Sequence, residues 1–268
     1  MTPEALKRVA AVLRTAHRVA VLTGAGISAE SGLRTFRGGT GATAADLPAD
    51  MQALWKEFDP MRLATPEAFD ADPAMVSRWY DWRRLGCLAA EPNAGHRALA
   101  RLERELASRS GQLTILTQNV DRLHQKAGSR VVVELHGTIL EWRCTMSGRR
   151  TTPSPEPMPA YPMPSPFHPR GVLRPDVVWF GEMLPEAALK AAAEAVEACE
   201  VFMSIGTSAV VYPAAGYIAA AAARGAMTVE VNPEATPISS AVDVSIRAKA
   251  GEALPRLVAG AFDSSGLA

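Results

Sequence analysis

The sequence predicts an α/β protein: a doubly wound parallel sheet carrying a smaller inserted module. Three observations lead there. Short β-branched runs alternate with Ala-, Leu-, Glu- and Arg-rich helical stretches, and several runs are continuously apolar, as strands covered on both faces are. A glycine-rich turn follows the first run directly. Two stretches, 38–84 and 138–174, break the alternation. With 268 residues, 48% hydrophobic and 21% charged, the chain is long enough to bury a large core in one main domain. A formal charge of +0 gives no electrostatic reason for a nucleic-acid or membrane partner.

Taken in order, the N-terminal MTPEALKRVAAVLRTAHR spreads its charges throughout and reads as an amphipathic first helix, without the layout of a signal peptide. The first strand is expected at 18–23. A long insertion follows, polar and glycine-containing at first and helical later. Asn93 is placed to cap the helix through HRALARLERELA. Strands are expected at 112–118 and 131–135. The segment PSPEPMPAYPMPSPFHP then carries prolines that cannot feed a sheet interior or a helix, so 138–174 is expected to be rich in loops. A strand at 176–180 precedes a helix with Pro185 in its first turn, and the last strands fall at 201–205, 227–231 and 243–246. AVVYPAAGYIAAAAA is interrupted by Pro213, which argues against a membrane span. Cys87, Cys144 and Cys199 are far apart and odd in number, which fits a reducing compartment; a cytoplasmic monomer is expected. The expected division is a Rossmann-like nucleotide-binding domain of 1–37, 86–137 and 175–268, a helical insertion at 38–85, and a small module at 138–174.

In VLTGAGISAESGLRTFRG, Gly24, Gly26 and Ala29 follow the G-x-G-x-x-A pattern. Glycines there let a backbone approach a pyrophosphate, although any tight strand-to-helix turn also favours them. A hydride-carrying dinucleotide would further need an acidic residue at the end of the second strand. Asp46 and Asp50 lie near the right distance but follow no strand. Other strand ends do collect polar residues: Gln118, Asn119 and Asp121 in TQNVDRLH, His136 in VVVELHG, Gly206, Thr207 and Ser208 after VFMSI, and Asn232 in VEVN. A doubly wound sheet binds its ligand beyond such ends.

GAGIS with ESGLRTFRG, TQNVDRLH, ELHG, RPDVVWFGE, GTSAVVYP, VEVN and KAGEALP, in this order over nearly the whole chain, resemble the sirtuins, NAD-consuming protein lysine deacylases. The resemblance implies that the dinucleotide is consumed. Gly24, Ala25, Gly26 and Ser28 would line the NAD site, with the Phe36 and Arg37 loop closing over it. Asp121 would accept from the nicotinamide carboxamide, while Asn119 and Gln118 would hold ribose hydroxyls and an ordered water. His136 would be the general base, taking a ribose proton so that the oxygen attacks an imidate; the products would be free lysine, nicotinamide and O-acyl-ADP-ribose. Gly206, Thr207, Ser208 and Asn232 would hold phosphate and ribose, Lys249 and Ala250 would lie near adenine, and Val178, Phe180 and Gly181 would meet the acyl-lysine protein. His17, His96 and His124 are expected to be structural, and Asp121 could equally cap the helix that follows it. A non-hydrolytic NAD or ADP-ribose binding module, or a mono-ADP-ribosyltransferase, is the alternative on the same fold.

Tyr80 and Arg83 in RWYDWRRL share a helix face and make a good receptor for a carboxylate, although Y-x-x-R alone is also common helix surface. The segment resembles the sirtuins that prefer succinyl-, malonyl- and glutaryl-lysine, in which a small residue at the position of Ala64 opens the acyl pocket. The chain also departs from the family. Most sirtuins carry two Cys-x-x-Cys pairs for a structural zinc; here the first reads C-T-M-S, with Ser147 following Cys144, and the proline-rich stretch stands where the second belongs. Cys144 and His168 are the module's only usual soft ligands, so no structural zinc is expected, and proline stiffness with local packing takes its place. Arg34 stands where the family usually has proline.

Overall fold

The computed structural model describes residues 1–33 and 63–263. Helix α1 (Pro3–Thr15) starts at Thr2, whose hydroxyl accepts from the Ala5 amide, with proline in its first turn. Leu6, Val9, Ala10 and Leu13 form its buried face. Strand β1 (Arg18–Thr23) is buried beyond its first residue and runs into the short helix α2 (Ala25–Ala29). Two helices follow the undescribed stretch: α3 (Pro66–Ala71), capped by Thr65, and α4 (Pro73–Ala89), capped by Asp72. Helix α5 (Ala94–Ala107) has the expected Asn93 cap, closed as a capping box by His96.

Strands β2 (Gln112–Thr117) and β3 (Val132–Glu134) flank the one-turn helix α6 (Leu123–Lys126). After the small module come α7 (Glu186–Ala198), β7 (Val201–Ile205), α8 (Tyr217–Ala223), β8 (Met227–Val231), β9 (Val244–Ile246) and α9 (Ala250–Phe262). Pro185 sits at the N-cap of α7, one position before the helical turn in which the sequence puts it.

The strands form a parallel six-stranded sheet in the order β3-β2-β1-β7-β8-β9. Chain order reverses between β1 and β7, so a crevice opens beyond their carboxyl ends. One face is covered by α1, α5 and α9 through Leu13, Leu99, Leu102 and Leu257, the other by α7 and α8 through Ala192, Val196 and Ile218.

The small module corrects two sequence readings. It contains a three-stranded antiparallel sheet, β5-β4-β6, built from β4 (Gly137–Cys144), β5 (Arg150–Thr151) and β6 (Leu173–Val177). All of the eight-residue β4 but Gly137 lies inside the stretch read as loops. The strand expected at 176–180 instead ends at Val177 and pairs with β4, outside the parallel sheet. Pro175 sits within β6, which is tolerated because β6 is an edge strand and its pairing with β4 shifts register between Thr138 and Trp142. The module's core joins Trp142, Cys144 and Leu173 to Leu63, Ala64, Phe69, Trp79 and Tyr80.

Candidate functional site

The crevice forms where the loops after β1, β2, β3 and β7 meet. The Gly24 amide donates to the Ile205 carbonyl (3.1 Å) and the Gly26 amide to that of Gly206 (2.8 Å), so the turns after β1 and β7 are zipped together. The glycines serve this zipping first. A Cβ on Gly26 would lie 2.7 Å from the Gly206 oxygen, and one on Gly24 would lie 2.9 Å from Gly206 and Thr207. Gly206 itself has φ +59. Gly26→Ala is therefore expected to force the loops apart and cost about 1 to 3 kcal/mol, read as a lower denaturation midpoint; an unchanged midpoint would show that the loops yield freely.

The segment after β2 threads beneath these turns. The Gln118 amide donates to the Thr23 carbonyl (2.9 Å). Asn119 is buried, and its Nδ2 donates to the Gly24 carbonyl (3.0 Å) and to Ser28 Oγ (3.0 Å). With both amide hydrogens engaged, Asn119 meets a ligand through Oδ1, as an acceptor. Ser28 Oγ donates to Asp121 Oδ2 (2.7 Å), and Asp121 Oδ1 accepts from the Leu123 amide (2.9 Å). Asp121 thus holds the start of α6, as the sequence allowed, yet each carboxylate oxygen keeps a further lone pair. Burial raises its pKa, opposed by the Leu123 amide and the Ser28 hydroxyl.

His136 stands at the seam between the two sheets, after β3 and directly before β4. Its Nδ1 lies 3.1 Å from the Gln118 carbonyl, which only accepts, so Nδ1 carries the proton and Nε2 presents a lone pair. Burial lowers the His136 pKa, opposed by the Gln118 carbonyl. The imidazole is therefore neutral near pH 7. Its backbone is pinned because the His136 carbonyl accepts from Val178 N (3.0 Å).

Behind the crevice, Thr23 and Thr117, absent from the sequence reading, form a layer with His124 and His96, which it expected to be structural. Thr23 Oγ1 bonds Thr117 Oγ1 (2.9 Å) and His124 Nε2 (3.0 Å), and His124 packs on His96 with ring centroids 4.9 Å apart. Burial pushes His96 to about 4 and His124 to about 3, so both stay neutral and structural. His17 is exposed beside the opposite end of β1. A threonine ending each of two adjacent strands was the available signal for this layer.

Toward β8, Asn232 Nδ2 donates to the Thr207 carbonyl (2.9 Å), and Ala209 N to Thr207 Oγ1 (2.9 Å), shaping the loop of Gly206, Thr207 and Ser208. Lys249 is the N-cap of α9, and Ala250 its first residue; the Gly251 amide there donates to Glu30 Oε1 (2.9 Å), tying α9 to the end of α2.

Opposite His136, Phe180 N donates to the Ala64 carbonyl (2.9 Å), so the strip of Val178, Phe180 and Gly181 runs from His136 to Ala64. Tyr80 is buried beneath it and accepts from Trp179 Nε1 (2.9 Å), leaving its own hydroxyl proton to donate. Burial pushes Tyr80 up to about 12, against the opposing charge of Arg83. The Arg83 guanidinium lies 4.7 Å from the Trp79 ring centre and 5.6 Å from that of Tyr80. Phe36 and Arg37, like Arg34, lie outside the described residues.

The Sir2 family profile matches residues 24–213. The NAD-dependent protein deacylase of Thermus thermophilus is 46% identical over 257 residues, covering 95% of this chain and 93% of that protein. NAD-dependent protein deacylase 2 of Pyrobaculum aerophilum is 47% identical over 250 residues, 93% of each chain. Among solved structures, a Sir2 homologue in complex with NAD superposes with a TM-score of 0.82 at 40% identity, covering 96% of this chain and 93% of that one. A variant Sir2 homologue bound to 2′-O-acetyl ADP ribose superposes with a TM-score of 0.83 at 40% identity, covering 100% and 99%.

Proposed function

Because this chain belongs to the Sir2 family and is an NAD-dependent protein lysine deacylase, we propose that His136 is its general base and that the crevice between β1 and β7 receives the dinucleotide. NAD supplies the ribose that takes over the acyl group and gives up nicotinamide. What this chain's residues contribute follows from their bonding. With the amides of Gly24, Gly26 and Gly206 already bonded to the carbonyls of Ile205, Gly206 and Val231, the turns at 24–28 and 206–208 offer their remaining amides and Ser208 to the pyrophosphate, and Asn232, Lys249 and Ala250 border the adenosine. Asn119 accepts from a ribose hydroxyl through Oδ1, with Gln118 beside it, and Asp121 accepts from the carboxamide with a remaining lone pair. His136 Nε2 then takes the ribose proton.

The observation that carries this reading is the Nδ1 contact to the Gln118 carbonyl, which leaves the free nitrogen basic at the seam where both sheets meet. NAD-dependent release of nicotinamide, assayed with acetylated, malonylated and succinylated lysine peptides, tests it. Turnover with none of these peptides would remove the reading.

The acyl preference we propose is for acids. Tyr80 with a donor proton, Arg83 against its ring, and the small Ala64 nearby support a pocket for a terminal carboxylate. Arg83 offers such a group two parallel hydrogen bonds, and acetyl-lysine uses neither. Losing a charge-assisted bond costs about 1.5 to 3 kcal/mol, or roughly one to two orders of magnitude in affinity. Arg83→Met should accordingly lower kcat/KM for succinyl-lysine peptide by that factor while barely changing it for acetyl-lysine peptide. Equal losses on both substrates would make Arg83 a structural helix residue. Among the described residues, no helix is long and apolar enough to cross a membrane.

A further inference from the structure

We propose that Cys144, Ser147, Ser165 and His168 are the two halves of a former metal knuckle, in which serine hydroxyls replace two thiolate ligands and hydrogen bonds hold the module closed without a metal. The inference rests on the metal-free reading of this module and adds to it the second half of the ligand set, which the proline-rich composition concealed.

The first half is the turn after β4. Cys144 and Ser147 are three residues apart, Ser147 N points at Cys144 Sγ (3.5 Å), and Gly148 N donates to the Cys144 carbonyl (2.9 Å). Gly148 follows at φ +68, a conformation that favours glycine. The second half is a different turn with the same spacing. Ser165 and His168 are three apart, Phe167 N donates to Ser165 Oγ (3.1 Å), and Gly171 N donates to the His168 carbonyl (3.0 Å). In each turn the side chain at the first position accepts a backbone amide from within the turn.

The two turns also converge in space. Thr145 N donates to the Val172 carbonyl (2.9 Å), and Val172 N returns a bond to Thr145 Oγ1 (3.2 Å). A Cβ built on Gly171 would lie 2.6 Å from Cys144 Sγ, 3.3 Å from Ser165 Cβ and 3.4 Å from His168 Cβ. Three of the four side chains therefore crowd one point, around a sulfur that is buried.

This donor set does not fit zinc. One thiolate and one imidazole supply two of the four ligands that a structural site needs, and neutral hydroxyls do not replace the others. His168 Nδ1 accepts from Arg170 N (3.2 Å), so the neutral ring carries its proton on Nε2 and must release this contact before it can ligate a metal. Two substitutions would complete the set as three thiolates and one imidazole.

The test uses the full chain carrying Ser147→Cys and Ser165→Cys, titrated with Co(II) and then Zn(II). One metal per chain is expected, with thiolate-to-cobalt absorption and the ligand-field bands of a tetrahedral ion, while the unsubstituted protein takes none stoichiometrically. Adding His168→Ala should weaken binding by more than about tenfold. A folded double variant that takes no metal would overturn the shared site. One zinc per chain in the unsubstituted protein would instead overturn the metal-free reading on which it rests. Convergence is tested independently by Gly171→Ala, whose methyl would wedge the turns apart: Cys144 should then react with a thiol reagent at least about tenfold faster. An unchanged rate would place the sulfur outside the cluster.

Discussion

Replacing His136 with alanine is expected to reduce kcat/KM for deacylation by about two to four orders of magnitude, the usual worth of a positioned acid–base group, while NAD still binds. Among the described residues, the side chain's hydrogen bond is to the Gln118 carbonyl at the seam. NAD affinity measured by calorimetry should therefore stay within a few-fold of the parent while nicotinamide and O-acyl-ADP-ribose release collapses. Because burial lowers the His136 pKa, the neutral base persists to more acidic pH than for an ordinary imidazole. Activity should be lost only as pH falls through that lowered value, so the rising limb of kcat/KM against pH lies on the acid side of a free histidine. Near-normal turnover in the variant, or a rising limb on the alkaline side, would remove His136 from proton transfer. His136→Asn provides a second probe, since it retains a donor for the carbonyl but lacks the basic nitrogen.

The strands at the centre of the parallel sheet were legible because β1 and β7 carry nearly continuous apolar runs, VAVL and VFM, the pattern of strands covered by helices on both faces. The polar residues at their ends were legible as a group that the fold gathers, and the structure does join Asn119 and Asp121 to the turn after β1 and His136 to Gln118. The small sheet was hidden for a physical reason. In β4 the buried Ile139, Trp142 and Cys144 do not alternate strictly, because the register shifts between Thr138 and Trp142, and the prolines that follow mask a strand pairing across about thirty residues. Bonding direction was also illegible. Sequence placed Asn119, Asp121 and Tyr80 at the site, but only geometry tells that Asn119 has spent its donors, that Asp121 holds Ser28 and Leu123, and that Tyr80 keeps a proton to give.

The largest stability effect is expected from Asp81→Ala, in a helix segment singled out for its neighbours. Asp81 and Arg84 are both buried on α4 and pair at 2.7 Å. Together they clamp the proline-rich strap: Asp81 Oδ2 accepts from Met158 N (2.9 Å) and the Tyr161 hydroxyl (2.5 Å), and Arg84 donates to the carbonyls of Ser154 (2.7 Å) and Glu156 (2.7 Å). Burial, with the adjacent carboxylate, pushes Tyr161 up to about 12, so its hydroxyl remains a donor. Prolines remove amide donors from the strap, which makes side-chain anchors of this kind its alternative to a ladder. Truncating Asp81 leaves the guanidinium buried without a counter-charge, and breaking a buried pair in this way costs about 3 to 5 kcal/mol, a large share of the roughly 5 to 15 kcal/mol that holds a domain together. Replacing both partners, as Asp81→Leu with Arg84→Met, should recover only part of that loss, because no charge is then stranded but the buried Met158 amide and the strap carbonyls still lose their partners. Chemical denaturation of the two variants beside the parent separates the cases. A loss below about 1 kcal/mol for Asp81→Ala, the range of an exposed pair, would mean that water reaches Arg84 and that the strap is held by packing alone.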